Sequence, residues 1–337
     1  MTVSDLKPTL PIGLTSPTHK SSSGAGKPST TPNIANVVLG NLHIKPWYPS
    51  FYPEDLIGGR KADWLYVCQW CFKYTHEIMK FSAHCKVCPL KANPPPGVLV
   101  YEKDDYSIYE IDGEEHKLYA QNLSLFAKLF LETKSVFFDA STFLYYILAL
   151  KLPASESDGV NTDAEHRPQQ VTGFFSKEKM SWDNNNLACL LIFPPFQRRG
   201  LGQILIGASY HLGRAEGRLG GPEKPLSTLG RKGYLTYWYG EIVRFIVNQP
   251  NRKTASVKEI SESTWILAED VVAALKEMNV LETRKTAAGN VVVNKRKVLD
   301  WAERNHIGLE PVVDEEAFVE EEEEAASEIA DSEDMEE

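Results

Sequence analysis

The chain has 337 residues, of which 42% are hydrophobic, as expected for one large globular domain or two to three smaller ones. It has no apolar run of about 18 residues and no charged-then-apolar leader at its start, so we expect neither a membrane span nor secretion. Four of its five cysteines lie between Cys68 and Cys88, which favours a metal site in a reducing compartment over a disulfide framework.

The formal net charge of −10 has a local origin. Residues 310–337 contain 15 acidic residues and no Lys or Arg, and without them the net charge of the rest is +5. A mildly basic body suits an anionic cofactor or a chromatin partner. For the acidic segment three roles stay open: screening that body, binding a basic partner such as a histone, or only aiding solubility.

The N-terminal part predicts a disordered segment followed by a module of strands and a metal site. Residues 1–36 are rich in Ser, Thr, Pro, Gly and Lys, which predicts disorder. Residues 37–96 begin with the alternating, aromatic stretch VVLGNLHIKPWYPSFYP, which indicates strands, and end in the break NPPPG.

A zinc-ligand pattern lies inside this module. The spacing Cys68-x2-Cys71-x12-His84-x3-Cys88 is that of a CCHC-type zinc finger, with two thiolates on a tight turn and two further ligands one helical turn apart. Cys85 would point away from the shared face, so we leave it out. Four protein ligands make a closed, structural site. The finger helix EIMKFSAHCKV is thinly basic, which favours a scaffolding role, with direct nucleic-acid contact as the alternative.

Residues 97–240 predict the catalytic core. VLVYEKDDYSIYEIDGEEHKLYAQNLSLFAKLFL reads as strand, DG turn, strand and a helix at 121–131, and SVFFDASTFLYYILAL as one or two buried strands. Residues 153–170 are polar and turn-rich, which indicates a surface loop. The segments VTGFFSKEK and NNLACLLIF flank a WDNNN turn and predict a β-hairpin, and QILIGASYHLGRAEG predicts a helix.

Residues 241–308 predict a C-terminal helical module, and residues 309–337 an acidic disordered tail. SVKEISESTWI and AEDVVAALKEMNV have helical patterns, and TAAGNVVVN has the pattern of a wing, so together they suggest a winged-helix arrangement. A plain helical cap on the core is an equally good interpretation.

A pyrophosphate-binding turn is indicated between the strand NNLACLLIF and the following helix. In the segment 197–202, QRRGLG, the two glycines let the backbone approach a pyrophosphate closely. The N–H groups of the turn and of the helix N-terminus point at the anion, and Arg198 and Arg199 can add charge-assisted contacts. A Rossmann fingerprint fits poorly here, and a Walker GKS or GKT is absent.

Two further residues near this turn are candidates for chemistry. By themselves, Cys189 in an apolar strand indicates a small buried hydrophobe, and Glu223 in the loop GGPEKPLS indicates an exposed carboxylate. A lysine acceptor would change this interpretation, because its ammonium, with a pKa of about 10.4, must lose a proton before it attacks a thioester. A carboxylate with a raised pKa can take that proton, and backbone N–H groups near Cys189 can stabilise the oxyanion.

The chain resembles the MYST family of histone acetyltransferases over roughly residues 38–300. The resemblance is carried, in the family's order, by YVCQWCFKY, LFAKLFLETKSVFFD, GFFSKEK, NLACLLIFPPFQRRGLG and GPEKPLSTLG. It implies an α/β (α+β) fold: a GNAT-like acetyl-CoA-binding core with an N-terminal zinc-finger module and a C-terminal helical, winged-helix-like module.

The resemblance also implies roles for individual residues. Glu223 corresponds to the general base, Cys189 to an active-site cysteine that accepts acetyl transiently or positions the substrate, and Lys134 to a lysine that such enzymes autoacetylate. The implied contacts to acetyl-CoA fall on Leu190, Ile192, Gln197, Arg198, Arg199, Gly200, Leu201, Gly202, Gln203, Ser227 and Thr236.

The implied cofactor site departs from the family pattern at three positions. The family commonly has threonine in place of Ile192 and lysine in place of Gln203, and Thr236 stands where the family has a cofactor-contacting polar residue in a different local sequence. We therefore expect the acetyl-CoA site to differ in its contacts from the usual site of the family.

The implied function is transfer of acetyl from acetyl-CoA to lysines of a core histone tail, with structural Zn²⁺ in the finger. The segment FPPFQRRGLG and the short length of the chain are similar to those of the fungal silencing-type branch, which favours histone H4 as the substrate. We expect a nuclear protein that acts on histone tails and nucleosomes with other subunits of a chromatin acetyltransferase complex. The alternatives are a lysine acetyltransferase of non-histone proteins and a catalytically weak chromatin scaffold subunit.

Overall fold

The computed structural model describes residues 31–152, 168–249, 251–285 and 291–319. The predictions of disorder for most of the N-terminal segment, of a loop for 153–167 and of disorder for the tail beyond Val319 lie outside these residues. Where the described residues overlap the predicted irregular segments, they are ordered: Ile34 is fully buried in a strand and Gln169 begins another.

The N-terminal module is a four-stranded sheet with one long and one short helix. Its strand order is β2-β1-β3-β4, and β1 pairs in parallel with β3. The second halves of β1 and β3 are buried on both faces, because Leu39 and Val67 enter the main core while Val38 and Tyr66 pack with Phe81 of α2 on the other face. The elements are β1 (Ile34–Leu39), β2 (Leu42–Ile44), α1 (Glu54–Ile57), β3 (Ala62–Val67), β4 (Tyr74–Thr75) and α2 (Ile78–Val87).

The central core is a five-stranded antiparallel sheet of order β10-β8-β7-β6-β5 with a helix against each face. On one face, Ile147 and Phe174 pack with α3 and the N-terminal module, and on the other, Leu148 and Phe175 pack with α4. The elements are β5 (Val98–Lys103), β6 (Tyr106–Asp112), α3 (Lys117–Lys128), β7 (Phe143–Lys151), β8 (Gln169–Glu178), β9 (Asn185–Leu187), β10 (Cys189–Ile192), α4 (Leu201–Ala215) and β11 (Gly221–Pro222).

Two details of this core differ from the sequence-based expectations. The helix predicted at 121–131 begins and ends earlier, whereas the apolar stretch after it forms one strand, β7, within the expected one or two. The predicted hairpin exists between β8 and β10, but β9 leaves it and pairs in parallel with β11. This last difference matters for the site, because a pairing between segments so distant in sequence leaves no local pattern.

The C-terminal module has the winged-helix-like arrangement, which confirms that expectation over the plain helical cap. Its three-stranded sheet has the order β12-β14-β13, and a capping box of Ser256 and Glu259 begins α6. Trp238 and Ile242 of α5 pack against Ile260 and Leu275 and so join this module to the core. The elements are α5 (Thr228–Val247), β12 (Thr254–Ser256), α6 (Val257–Thr264), α7 (Ala268–Glu277), β13 (Leu281–Lys285), β14 (Val291–Asn294) and α8 (Lys295–Arg304).

The first part of the predicted acidic tail is ordered. Phe318 stacks on His211 of α4 with ring centroids 3.6 Å apart, and Asp314 forms an ion pair with Lys103 of β5 at 2.7 Å. The N–H of Val319 donates to the carbonyl of Val100. The prediction of disorder from residue 309 is therefore wrong as far as Val319, because aromatic and charged contacts hold this segment against β5 and α4.

Across the part of the chain that the structure describes, none of the helices combines the length and apolar character needed to cross a membrane.

We predict that Gly173→Ala destabilises the core. A Cβ at this position of β8 would lie 2.5 Å from the carbonyl oxygen of Leu191, so β10 would have to move. Overpacking of this kind costs about 1–3 kcal/mol, which thermal or denaturant unfolding measures. Gly308→Ala is the control, because a Cβ there meets nothing within 4 Å. Equal stability of both variants would contradict the close approach of β10 to β8.

Candidate active site

The pairing of β9 with β11 brings Glu223 to the beginning of β10. Pro222 pairs with Leu187, and the N–H of Glu223 donates to the carbonyl of Leu187 at 2.8 Å. Two residues after Leu187, Cys189 begins β10 and pairs with Ser176 of β8. The structure therefore brings together the two predicted catalytic residues, with Cys189 half-buried and Glu223 on the exposed rim.

Lys134 is the third predicted residue at this place. It lies between α3 and β7 and is only 6% exposed. Burial lowers the pKa of Lys134, whereas the thiol of Cys189 and the carboxylate of Glu223, both within electrostatic reach, raise it. The turn before it is held by the amine of Lys128, which donates to the carbonyls of Leu131 and Glu132. A buried amine thus faces the candidate cysteine and the candidate base.

The electrostatics around Glu223 suit a proton acceptor. Partial burial raises its pKa from the ordinary value of 4.5, the negative charge of Glu178 raises it further, and Lys134 opposes both. Among the described residues, no ion pair of the Glu223 carboxylate is found. The carboxylate is therefore available to a substrate group. Glu178 is a residue that sequence reasoning missed, because its approach to Glu223 depends on how β8 lies beside the β9–β11 pair.

The QRRGLG turn lies at the other end of β10. The strand ends because Pro194 and Pro195 cannot donate to a ladder, and the chain enters a single 3₁₀ turn. Arg198 has a φ of 63° and Gly200 a φ of 80°, so two left-handed residues reverse the chain before α4. The amide of Gln197 donates to the carbonyl of Ile192 at 2.8 Å and closes the turn onto β10.

This turn is open and suited to an anion. Arg198, Arg199 and Gly200 are exposed, and a Cβ at Gly200 would meet nothing within 4 Å. Gly200 is the N-cap of α4 and has no side chain that could cap it. The N–H of Gln203 donates to the carbonyl of Gly200, which leaves the N–H groups of Leu201 and Gly202 for an external acceptor. The residues present fit the pyrophosphate of a CoA ligand in charge and in backbone geometry.

The other predicted cofactor residues fall into two groups. Ile192 and Leu201 have buried side chains that pack in the core, so only their backbone groups are candidates for ligand contact, and Leu190 is half-buried. The remaining side chains are polar and already hydrogen-bonded. Gln203 donates to the carbonyl of Gly233, Ser227 accepts from the N–H of Gly230 as the N-cap of α5, and Thr236 donates to the carbonyl of Lys232.

The four predicted zinc ligands form one cluster. The ligand atoms of Cys68, Cys71, His84 and Cys88 all lie within 4.8 Å of one another, and the Sγ atoms of Cys68 and Cys88 are 3.8 Å apart. Tetrahedral zinc with Zn–S bonds of about 2.3 Å separates two sulfurs by about 3.8 Å, so these donors fit that ion. Cys85 is not among these four, and its side chain packs with Val38, Tyr66 and Phe81.

A second feature that sequence reasoning missed lies just after Glu223. Lys224 forms ion pairs with Glu269 and Asp270 of α7, and Asp270 is only 3% exposed. No spacing rule relates residue 224 to residue 270. The one local signal was that an acidic pair begins a predicted helix, which is ordinary at a helix N-terminus.

Comparison with known proteins finds two family models and several relatives that together match most of the described region. The family described as MOZ/SAS family matches residues 94–318, and the MYST family zinc finger domain matches residues 31–88. The Histone acetyltransferase MOF of Drosophila melanogaster is 40% identical over 249 residues, which are 74% of this chain and 28% of that protein.

Two further relatives are similar over a slightly longer region. The Histone acetyltransferase Tip60 homolog of Caenorhabditis elegans is 36% identical over 268 residues, 79% of this chain and 55% of that protein. The Histone acetyltransferase of the MYST family 1 of Arabidopsis thaliana is 37% identical over 268 residues, 80% of this chain and 55% of that protein. The chain thus spans about half the length, or less, of these relatives. Since the MOZ/SAS match alone covers about two thirds of its residues, the chain belongs to the MOZ/SAS (MYST) family.

Proposed function

We propose that this chain is a protein-lysine acetyltransferase that transfers acetyl from acetyl-CoA to lysines of a core histone tail, with histone H4 favoured. The observation that carries the proposal is the arrangement of both ends of β10. At one end the backbone of Glu223 is hydrogen-bonded to Leu187, two residues before Cys189, and at the other the open QRRGLG turn leads into a helix N-terminus without a side-chain cap. A proton acceptor and an anion site are thereby joined by one strand of four residues.

In this proposal Glu223 is the general base. Partial burial and the charge of Glu178 raise the pKa of its carboxyl, which makes it a stronger proton acceptor than an ordinary glutamate. It removes a proton from the substrate ammonium so that the neutral amine can form the new C–N bond. Acetyl-CoA, when bound, supplies the thioester whose C–S bond is broken.

Cys189 and Lys134 have supporting roles in the proposal. Cys189 is placed to contact the reacting groups, either as a transient acetyl acceptor or as a positioning residue. Lys134 is the candidate for autoacetylation, since burial lowers its pKa and so favours the neutral, nucleophilic amine. Both assignments rest on their nearness to Glu223 and on the family resemblance.

Acetyl-CoA is proposed to bind across β10 and the turn. The backbone of residues 197–203, with the side chains of Arg198 and Arg199, would hold the pyrophosphate. Leu190 and Ile192 would contribute backbone groups, and Ser227 and Thr236 are further candidate contacts on α5. The Cys68–Cys88 cluster is proposed to hold a structural zinc ion that takes no part in the transfer.

The substrate and setting are inferred from the relatives' names and from the family resemblance. Relatives named histone acetyltransferases support histones as the substrate. Action on nucleosomes, a nuclear location and work within a multi-subunit complex are parts of the same proposal that rest on the family resemblance. Acetylation of non-histone proteins is the main alternative, and a weakly active scaffold subunit is the other. The open anion turn and the available carboxylate favour an enzyme over a scaffold.

Glu223→Gln should lower kcat at pH 7 by about 10²–10⁴-fold, the usual contribution of a general base. Partial recovery is expected at higher pH, because a growing share of the lysine substrate is then neutral without help. In the wild type, kcat/KM should rise through a pKa above 4.5 as Glu223 ionises. The measurement is a pH profile on a histone-tail peptide, with Glu303→Gln on α8 as the control. Unchanged turnover across pH would remove Glu223 from this role.

The double substitution Arg198→Ala with Arg199→Ala should weaken acetyl-CoA binding by about tenfold or more, since each charge-assisted hydrogen bond contributes about 1.5–3 kcal/mol. Calorimetry at low and high salt measures this, and the difference from wild type should shrink as salt screens the phosphates. Arg304→Ala on α8 is the matched control. An unchanged Kd in the double variant would place the pyrophosphate elsewhere.

Cys71→Ala should abolish zinc binding and lower the Tm, because three remaining ligands no longer close the site and the finger turn loses its metal. Zinc per chain by elemental analysis and the Tm by calorimetry are the two measurements. The neighbouring thiol gives the control, since Cys85→Ala should keep one zinc per chain. If Cys71→Ala retained the metal, the proposed ligand set would be wrong.

A further inference from the structure

The loop that carries Glu223 is tied to the C-terminal module by a partly buried ion pair. The ammonium of Lys224 donates to Oδ1 of Asp270 at 2.8 Å and also bonds the carboxylate of Glu269. Asp270 lies in the first turn of α7, where the N-terminal end of the helix dipole favours an anion. It is 3% exposed, and its second oxygen has no hydrogen-bond partner in the described part of the chain.

The same carboxylate touches the chain on the other side of Glu223. A Cβ on Gly221 would lie 3.0 Å from Oδ2 of Asp270 and 2.9 Å from a methyl group of Leu267. The backbone of β11 therefore rests directly on the beginning of α7. Together with the bond to Lys224, this contact holds the chain both before and after Glu223, so the base is bracketed by a helix of the winged-helix-like module.

The ion pair also fixes the position of the Lys224 ammonium, the positive charge next to Glu223 in the sequence. Lys224 follows Glu223 directly, and the structure places its ammonium on Asp270 and Glu269, with no ion pair to Glu223 among the described residues. A free ammonium on this loop would be able to pair with the Glu223 carboxylate and to stabilise its ionised form, which makes a weaker base. These contacts with α7 therefore have two effects: they fix the loop that carries Glu223, and they keep the ammonium of Lys224 away from the Glu223 carboxylate.

We propose that Asp270 is a positioning residue for Glu223, which acts through Lys224 and makes the C-terminal module part of the catalytic apparatus. The proposal rests on the proposed function of Glu223 as the base. It assigns to α7 a role beyond packing, because the carboxylate that holds the loop belongs to a different module from the strands that carry Cys189.

The charged and titratable groups around the carboxylates of Glu223 and Asp270 indicate that Asp270 acts through Lys224. Glu178 of β8 and Lys134 face Glu223. Around Asp270 lie Lys224, Glu269 and the hydroxyls of Tyr210 and Tyr234. Within the described residues, Lys224 is thus the cation that faces Asp270, so removal of the Asp270 charge leaves the ammonium with the exposed carboxylate of Glu269 alone.

A second ion pair on the same helix provides a matched control. Glu277, near the end of α7, pairs with Arg231 of α5, and both side chains are about half exposed. This pair also joins α7 to a neighbouring element, but it does not touch the loop of Glu223. Glu277→Gln therefore tests whether the loss of any ion pair on α7 is sufficient to change activity.

The experiment is a pH profile of kcat and KM for the full chain with acetyl-CoA and a histone-tail peptide. In Asp270→Asn we expect kcat to fall about tenfold. We also expect the acid limb of the pH profile, where activity rises as Glu223 ionises, to move to lower pH, and the KM for acetyl-CoA to stay within about twofold of the wild-type value. Lys224→Met added to Asp270→Asn should return the limb to its wild-type position, which a merely structural defect would not do. Glu277→Gln should change none of these values.

The proposal would be overturned if the acid limb stayed at its wild-type pH in Asp270→Asn. It would also be overturned if Glu277→Gln moved the acid limb by the same amount. If Asp270→Asn does not fold, Lys224→Met is compared with Lys224→Arg, which keeps the cation; equal kcat in these two variants would also overturn it. Failure of the base assignment is distinguishable, because Glu223→Gln would then leave the pH profile unchanged, whereas failure of this inference leaves a Glu223-dependent limb that Asp270 does not influence.

Discussion

The hydrogen bond from the N–H of Glu223 to the carbonyl of Leu187 is the contact on which the candidate site depends. It continues the short parallel pairing of β9 with β11 and so brings a loop that precedes α5 to the start of β10. Glu223 is thereby held at Leu187, two residues before Cys189, and Lys134 lies within electrostatic reach of both. The two-residue strand β11 thus places the proposed base at one end of β10, and the other end of β10 leads into the anion turn.

The surrounding fold explains how so short a pairing is maintained. The central sheet is buried on both faces, by α3 with the N-terminal module and by α4, so β8 and β10 have little freedom to move. Behind β11 the winged-helix-like module supplies the buried carboxylate of Asp270 and the contact of Leu267 with Gly221. The Cys68–Cys88 cluster lies in a separate module whose apolar core is continuous with one face of the sheet. Each module therefore stabilises the place where Glu223 and Cys189 meet.

The parts of this arrangement that have local patterns could be predicted from the sequence. The Cys68–Cys88 cluster and the strand–turn–helix around Gly200 each follow from spacing or from residue type at a turn. Cys189 and Glu223 did not: composition and spacing favoured a buried thiol and a surface carboxylate, and the family resemblance reversed that interpretation. Glu178 and Asp270 were missed because their contacts depend on tertiary closure. The ordered segment up to Val319 was missed because its acidic composition outweighed a few apolar anchors such as Phe318.

The proposed transfer of acetyl to histone lysines, with Glu223 as the base, can be tested on the intact substrate. The purified chain is incubated with acetyl-CoA and recombinant nucleosomes, and the modified lysines are mapped by mass spectrometry. We predict acetylation of a few lysines on a core histone tail, on H4 before the others, and its loss in a folded Glu223→Gln variant. A chain that binds acetyl-CoA yet leaves the histones unmodified, or a Glu223→Gln variant that acetylates them as the wild type does, would contradict it.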